Sequence, residues 1–123
     1  MNLKKLKNAV EVLKDDLEGA LIATDIYPTG VGTPLVGYNS NPQASALFDR
    51  VTTYMIKALE GAKFPSLKDY YMLQLENDAY VIVLLFKEYQ WGMLVDANKV
   101  NLGMLLNIVI PNARRAFEEA LNG

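Results

Sequence analysis

The sequence predicts an α+β fold with the order helix, strand, strand, helix, strand, strand, strand, helix. Three observations carry that prediction. Apolar residues recur at helical spacing near the start, in the middle and at the end of the chain. Five short apolar or alternating runs lie between those stretches, two after the first helix and three after the second. Connections of hairpin length join the runs, which makes the five-stranded sheet mainly antiparallel. The chain has 123 residues, 51% hydrophobic and 21% charged, which suits one ordinary globular domain with its own core.

Leu3, Leu6, Val10, Leu13 and Leu17 form one helical stripe, with Lys4, Lys5, Lys7, Glu11 and Lys14 on the other side. The basic side reads as a solvated face, with a membrane-surface or partner-binding helix as the alternative. Gly19–Asp25 (GALIATD) reads as a buried strand and Pro34–Tyr38 (PLVGY) as a second. Pro28, Gly30, Gly32 and Pro34 give the connection between them loop chemistry. Asn41 suits the N-cap of the middle helix, Pro42 its first position and Gly61 its C-terminal stop. Ala44, Leu47, Phe48, Val51, Met55, Ala58 and Leu59 form its stripe. Thr52, Tyr54 and Ile56 widen that stripe beyond what a single contact requires. Such a helix needs cover from two directions, by a loop or by another subunit.

Tyr70–Glu76 alternates, Asn77-Asp78 suits a tight turn, and Ala79–Phe86 is apolar on both faces. Lys87-Glu88 marks a second hairpin turn before Tyr89–Val95, where Gly92 would let a helix approach the backbone closely. The first, fourth and fifth strands should be central, and the second and third should be edges. Asp96 or Asn98 is expected to cap the last helix. Apolar spacing continues on both sides of Pro111, so a kink is expected there rather than an end.

Composition narrows the function. A net charge of −2 leaves no electrostatic footprint for nucleic acid. The absence of His and Cys removes thiolate zinc sites, disulfides and every catalytic triad built on those residues. MNLKKLK lacks a following apolar region, so no signal peptide is expected there. The uncharged, largely apolar run Val100–Ala113 is too short for a membrane span, which needs about 20 apolar residues. A cytoplasmic location is expected.

TGVGTPLVG, Thr29–Gly37, has glycines that invite a phosphate-binding reading. A Walker loop needs a Gly-Lys-[Ser/Thr] ending and a helix, and neither follows Gly30 or Gly32. The dinucleotide fingerprint needs a glycine where Leu35 stands. The loop Thr29–Thr33 is therefore expected to serve turn geometry and to bind no nucleotide. Asp15, Asp16, Asp69, Glu76, Asp78, Glu118 and Glu119 read as solubility or capping residues, and nothing points to a metal or cofactor. Trp91 and the tyrosines read as core or interface packing.

Two segments carry a family resemblance. DLEGALIATDIY resembles the first strand of the roadblock family of dynein light chains. LLFKEYQWGMLVDANKVNLGMLLNIVIPNARRAFEEAL resembles that family's closing strand–helix unit. The resemblance implies a roadblock/profilin-like three-layer sandwich, with a five-stranded antiparallel sheet between one helix and two. It also implies homodimers, or heterodimers with a paralogous roadblock-like subunit, joined through the middle helix and third strand. Members act as non-catalytic adaptors, regulators of small Ras-like GTPases or cargo-linking light chains, and bacterial members pair with motility or polarity GTPases.

The expected dimer interface is Thr52, Tyr54, Ile56, Tyr70, Met72 and Gln74. The expected partner-binding surface is Asp49, Arg50, Thr53 and Lys57. Two other readings stay open. One is a small-ligand sensor with Tyr54, Tyr71 and Trp91 lining a pocket; the other is a carboxylate-based enzyme.

Overall fold

The computed structural model describes residues 1–123. Helix α1 (Leu3–Leu17) is followed by a short 3-10 turn (Glu18–Ala20), then β1 (Leu21–Pro28) and β2 (Val36–Tyr38). Helix α2 (Pro42–Gly61) leads into β3 (Tyr70–Gln74), β4 (Ala79–Leu85) and β5 (Tyr89–Asp96). The closing helix is α3 (Leu102–Met104), a π-helical stretch (Leu105–Val109) and α4 (Ile110–Leu121), without a break.

The five strands form one antiparallel sheet in the order β2-β1-β5-β4-β3. The three strands rich in apolar residues on both faces are central, and β2 and β3 are the edges, as expected. One face carries the main core: Leu6, Leu13 and Leu17 of α1 and Val109, Ala113 and Phe117 of the closing helix pack on Ile26, Ile82, Leu84, Trp91 and Val95. The other face carries α2 over a smaller cluster of Tyr71, Val81 and Val83. The sheet thus lies between one helix and two, which is an α+β three-layer sandwich.

Several boundaries differ from the sequence reading. β1 starts at Leu21 and runs to Pro28, because it pairs with β5 along its whole length. Gly61 is helical; the left-handed residue that ends α2 is Lys63, at φ 62°. There Phe64 N–H reaches the Leu59 carbonyl and Lys63 N–H the Glu60 carbonyl, a Schellman ending. Asn101, not Asp96 or Asn98, caps the closing helix, its side chain accepting from Met104 N–H. Asp96 instead ends β5 and accepts from Asn98 N–H. Helix continues through Pro111 as expected, and the device that permits it is the π-helical turn just before it. Ile110 N–H reaches back to the Leu105 carbonyl, so the ladder is already reset where proline lacks its donor.

Candidate functional site

The seam between α2 and the sheet face beneath it collects the buried polar side chains other than Thr24. Alternation along β1 turns Asp25 and Tyr27 to this face, β3 contributes Tyr71 and β5 contributes Gln90. From above, α2 answers with Ser45, Asp49 and Thr52, spaced four and three apart on one helical face.

Asp25 Oδ2 accepts the Asn41 backbone N–H at 2.9 Å and the Ser45 hydroxyl at 3.0 Å. Asn41 is the N-cap of α2, so this carboxylate sits at the positive end of the helix dipole. Asp25 Oδ1 accepts no hydrogen bond. Asp49 Oδ1 accepts from Gly30 N–H and from Gln90 Nε2, both at 2.9 Å. The Tyr27 hydroxyl donates to Gln90 Oε1 at 3.1 Å, and the Thr52 and Tyr71 hydroxyls are hydrogen-bonded to each other at 2.7 Å. Burial pushes the Tyr27 phenol far above the ordinary tyrosine value, and the charges of Tyr71, Asp49 and Asp25 add to the effect. Burial also raises Tyr71, against the lowering effect of its bond with Thr52.

The network ties the loop Thr29–Thr33 to α2. Gly30 and Gly32 adopt left-handed φ values of 86° and 76°, which is the turn geometry expected of them. The N–H groups of Val31 and Gly32 donate to the Pro28 carbonyl, and that of Gly30 to Asp49. A phosphate brought to these amides would meet the Asp49 carboxylate. The seam holds two phenols kept protonated and two carboxylates bonded by amide and hydroxyl donors. That is the chemistry of a clamp rather than of a nucleophile beside its base. No three His, Cys, Asp or Glu residues cluster to hold a metal.

The expected site residues fall into separate groups. Tyr54 and Ile56 lie on the exposed side of α2, with Arg50 and Lys57. Tyr70 and Gln74 are exposed on β3, whereas Met72 is half-buried and packs toward the main core. Thr52 departs from its expected interface position: it is 1% exposed and faces the sheet. Asp49 departs from the expected partner surface: it is 7% exposed, beneath the helix. Thr53 is half-buried and donates to the Asp49 carbonyl. Tyr54, Tyr71 and Trp91 do not line a common pocket. Trp91 is on the opposite face of the sheet from Tyr71, its indole N–H donating to Thr24 Oγ1 at 2.7 Å. Gly92 has the Tyr27 ring as its neighbour rather than a helix, and a cavity of ≈ 130 Å³ lies beside it under α2. Sequence reasoning missed Asp25 and Gln90. The available signal was a charged residue inside the apolar run LIATDIY.

Over 98% of this chain and 90% of the other, the structure matches Myxococcus xanthus MglB with a TM-score of 0.81 at 12% identity. It also matches a Roadblock/LC7 domain from Streptomyces avermitilis over 92% of this chain and 94% of that one, with a TM-score of 0.64 at 6% identity. This chain has the roadblock fold. The roadblock sandwich is shared with profilin: the Schizosaccharomyces pombe protein matches over 94% of this chain and 96% of its own, with a TM-score of 0.61 at 8% identity. No family model and no curated protein matches the sequence. The roadblock likeness therefore lies in layer order and strand topology rather than in shared residues. No helix of the structure is long and apolar enough to cross a membrane.

Proposed function

We propose that the protein is a single-domain, non-catalytic dimeric interaction module of the roadblock type, which regulates or scaffolds a small Ras-like GTPase in the cytoplasm. The other subunit is a second copy or a paralogous roadblock-like chain. The observation that carries this reading is the way α2 is turned. Its three buried residues, Ser45, Asp49 and Thr52, are all polar, while Leu47, Tyr54 and Ile56 are 47%, 74% and 37% exposed. Exposed Leu73 and Tyr70 lie on β3, whose outer edge has no strand partner. Covering a large apolar side chain contributes about 1.5–3 kcal/mol, so a second subunit over this helix and edge gains several such terms. Arg50, Thr53 and Lys57 would then form the docking surface for the GTPase, without Asp49.

Sedimentation at micromolar concentration tests the dimer. The wild type is expected as a dimer, and Tyr54→Asp with Ile56→Asp as a monomer, because two buried charges cost several kcal/mol. A well-folded wild-type monomer would remove the basis of the reading. Pull-down of a Ras-like GTPase encoded beside this gene, loaded with a non-hydrolysable GTP analogue, tests the partner. Retention by the wild type and loss on Arg50→Glu with Lys57→Glu, in an intact dimer, is the expected result.

A further inference from the structure

A cavity of ≈ 480 Å³ opens at the end of the sheet where the β4–β5 turn, the loop after α2 and the end of α4 converge. Its volume falls in the range of small-molecule sites, roughly 300–1,000 Å³. Leu67, Leu85, Phe86 and Leu121 supply an apolar wall. Lys68, Lys87 and Arg114 line it against one carboxylate, Glu118, in a chain whose overall charge is −2. The concentration of positive charge here thus runs against the balance of the whole molecule.

Arg114 is built into this wall rather than lying loose on it. Its Nη1 donates to the carbonyl oxygens of Asp69 and Leu85 at 3.0 and 3.1 Å, and its guanidinium stacks 4.5 Å from the centre of the Phe86 ring. Those contacts orient the planar fork before any ligand arrives. Its Nη2 is ion-paired with the carboxylates of Asp69 and Glu118, each 3.9 Å away and so held by charge rather than by a hydrogen bond. Neither Lys68 nor Lys87 has an ion-pair partner. An oriented guanidinium edge and two unpaired ammonium groups thus face one cavity with an apolar floor. Gln90 and the Thr29 and Thr52 hydroxyls supply polar groups at its inner end.

We infer that this cavity binds a small organic anion, with a carboxylate or phosphate head against Arg114, Lys68 and Lys87 and an apolar body against Phe86, Leu67 and Leu121. A bidentate head would take the Nη2 edge of Arg114 from its two long ion pairs and pair the lysines, which have no carboxylate partner. The site does not depend on a GTPase partner. Ile56 alone is shared between its wall and the proposed dimer contact.

Calorimetric titration of the full-length protein with hexanoate, hexyl phosphate, hexanol and hexylammonium tests it. The expected result is saturable binding of one or both anions at least tenfold tighter than hexanol, with hexylammonium weakest. The tighter of the two anions identifies the head group. Lys68→Glu with Lys87→Glu, both exposed and free of structural contacts, should weaken anion binding at least tenfold while leaving the melting temperature unchanged. Arg114→Lys, which keeps the charge and loses the fork, should weaken hexanoate less than that double variant does. No saturable binding to 10-millimolar ligand (roughly the limit for a weak site), equal binding of hexanol, or anion binding untouched by the charge reversal would each overturn the inference.

Discussion

Tyr27 shows how far one side chain can be committed to the folded state. It is 1% exposed, its hydroxyl is tied to Gln90, and burial keeps its phenol protonated well past the ordinary tyrosine range. In the unfolded chain the same phenol ionises near pH ~10. Above that pH the unfolded state binds fewer protons than the folded one, so stability falls as pH rises; below it these tyrosines contribute no slope. Tyr71, raised in the same direction, adds to the loss. Urea unfolding at pH 9, 10 and 11 should show stability dropping beyond pH 10, by up to about 1.4 kcal/mol per pH unit for each fully shifted group. Tyr27→Phe should flatten the drop. A wild-type profile that stays level through pH 11 would contradict the assignment. None of this was visible in the chain. Asp25 and Tyr27 share β1, but Asp49 and Gln90 lie far from them in sequence, and only the pairing of β1 with β5 and the placing of α2 above them make a network.

At the scale of the elements, strand and helix existence was legible because period-two and period-3.6 patterns are strong in this chain. The central and edge ranks of the strands followed from which runs are apolar on both faces. What periodicity could not show was the rotation of α2. Its apolar stripe predicts the buried side, yet the sheet face it meets carries Asp25, Tyr27 and Gln90. Hydrogen-bonding side chains of the helix therefore turn inward; Phe48 and Met55 reach the smaller cluster beside them, and Leu47, Tyr54 and Ile56 are left outside. Ends set by a partner, such as the extension of β1 to Pro28 and the cap at Asn101, were equally hidden. The short edge β2 depends on one glycine. Across the sheet, Asp25 lies between Gly37 and Gly92 in register. A Cβ on Gly37 would fall on Asp25 Oδ1 and stand 2.6 Å from the Thr24 carbonyl oxygen, whereas one on Gly92 would come no closer than 3.7 Å to the Tyr27 ring. Gly37→Ala should therefore cost about 1–3 kcal/mol of strain. Gly92→Ala should be close to neutral. Chemical denaturation of the two variants side by side separates them, and equal losses would refute the distinction.

For the whole molecule, the decisive asymmetry is between the two faces of the sheet. One face is sealed by two helices around Trp91 and Phe117; the other bears a single helix whose Phe48 and Met55 pack inward while Leu47, Tyr54 and Ile56 face out. If a second subunit completes that face, folding and association are linked. The melting temperature should then rise with protein concentration across the micromolar range. The Tyr54→Asp, Ile56→Asp variant should melt lower and at a concentration-independent temperature. A wild-type melting point that does not move with dilution through the dissociation range would argue against the link. The two sheet edges add a further consequence. β2 offers only three residues to a newcomer and β3 offers five with its outer side open. Addition can therefore proceed from one side only. Two molecules meeting edge to edge through a two-fold axis use up both reactive sides and leave a blunt strand at each extremity. Growth by edge addition ends at a count of two, so crowding or high expression should yield pairs rather than fibrils.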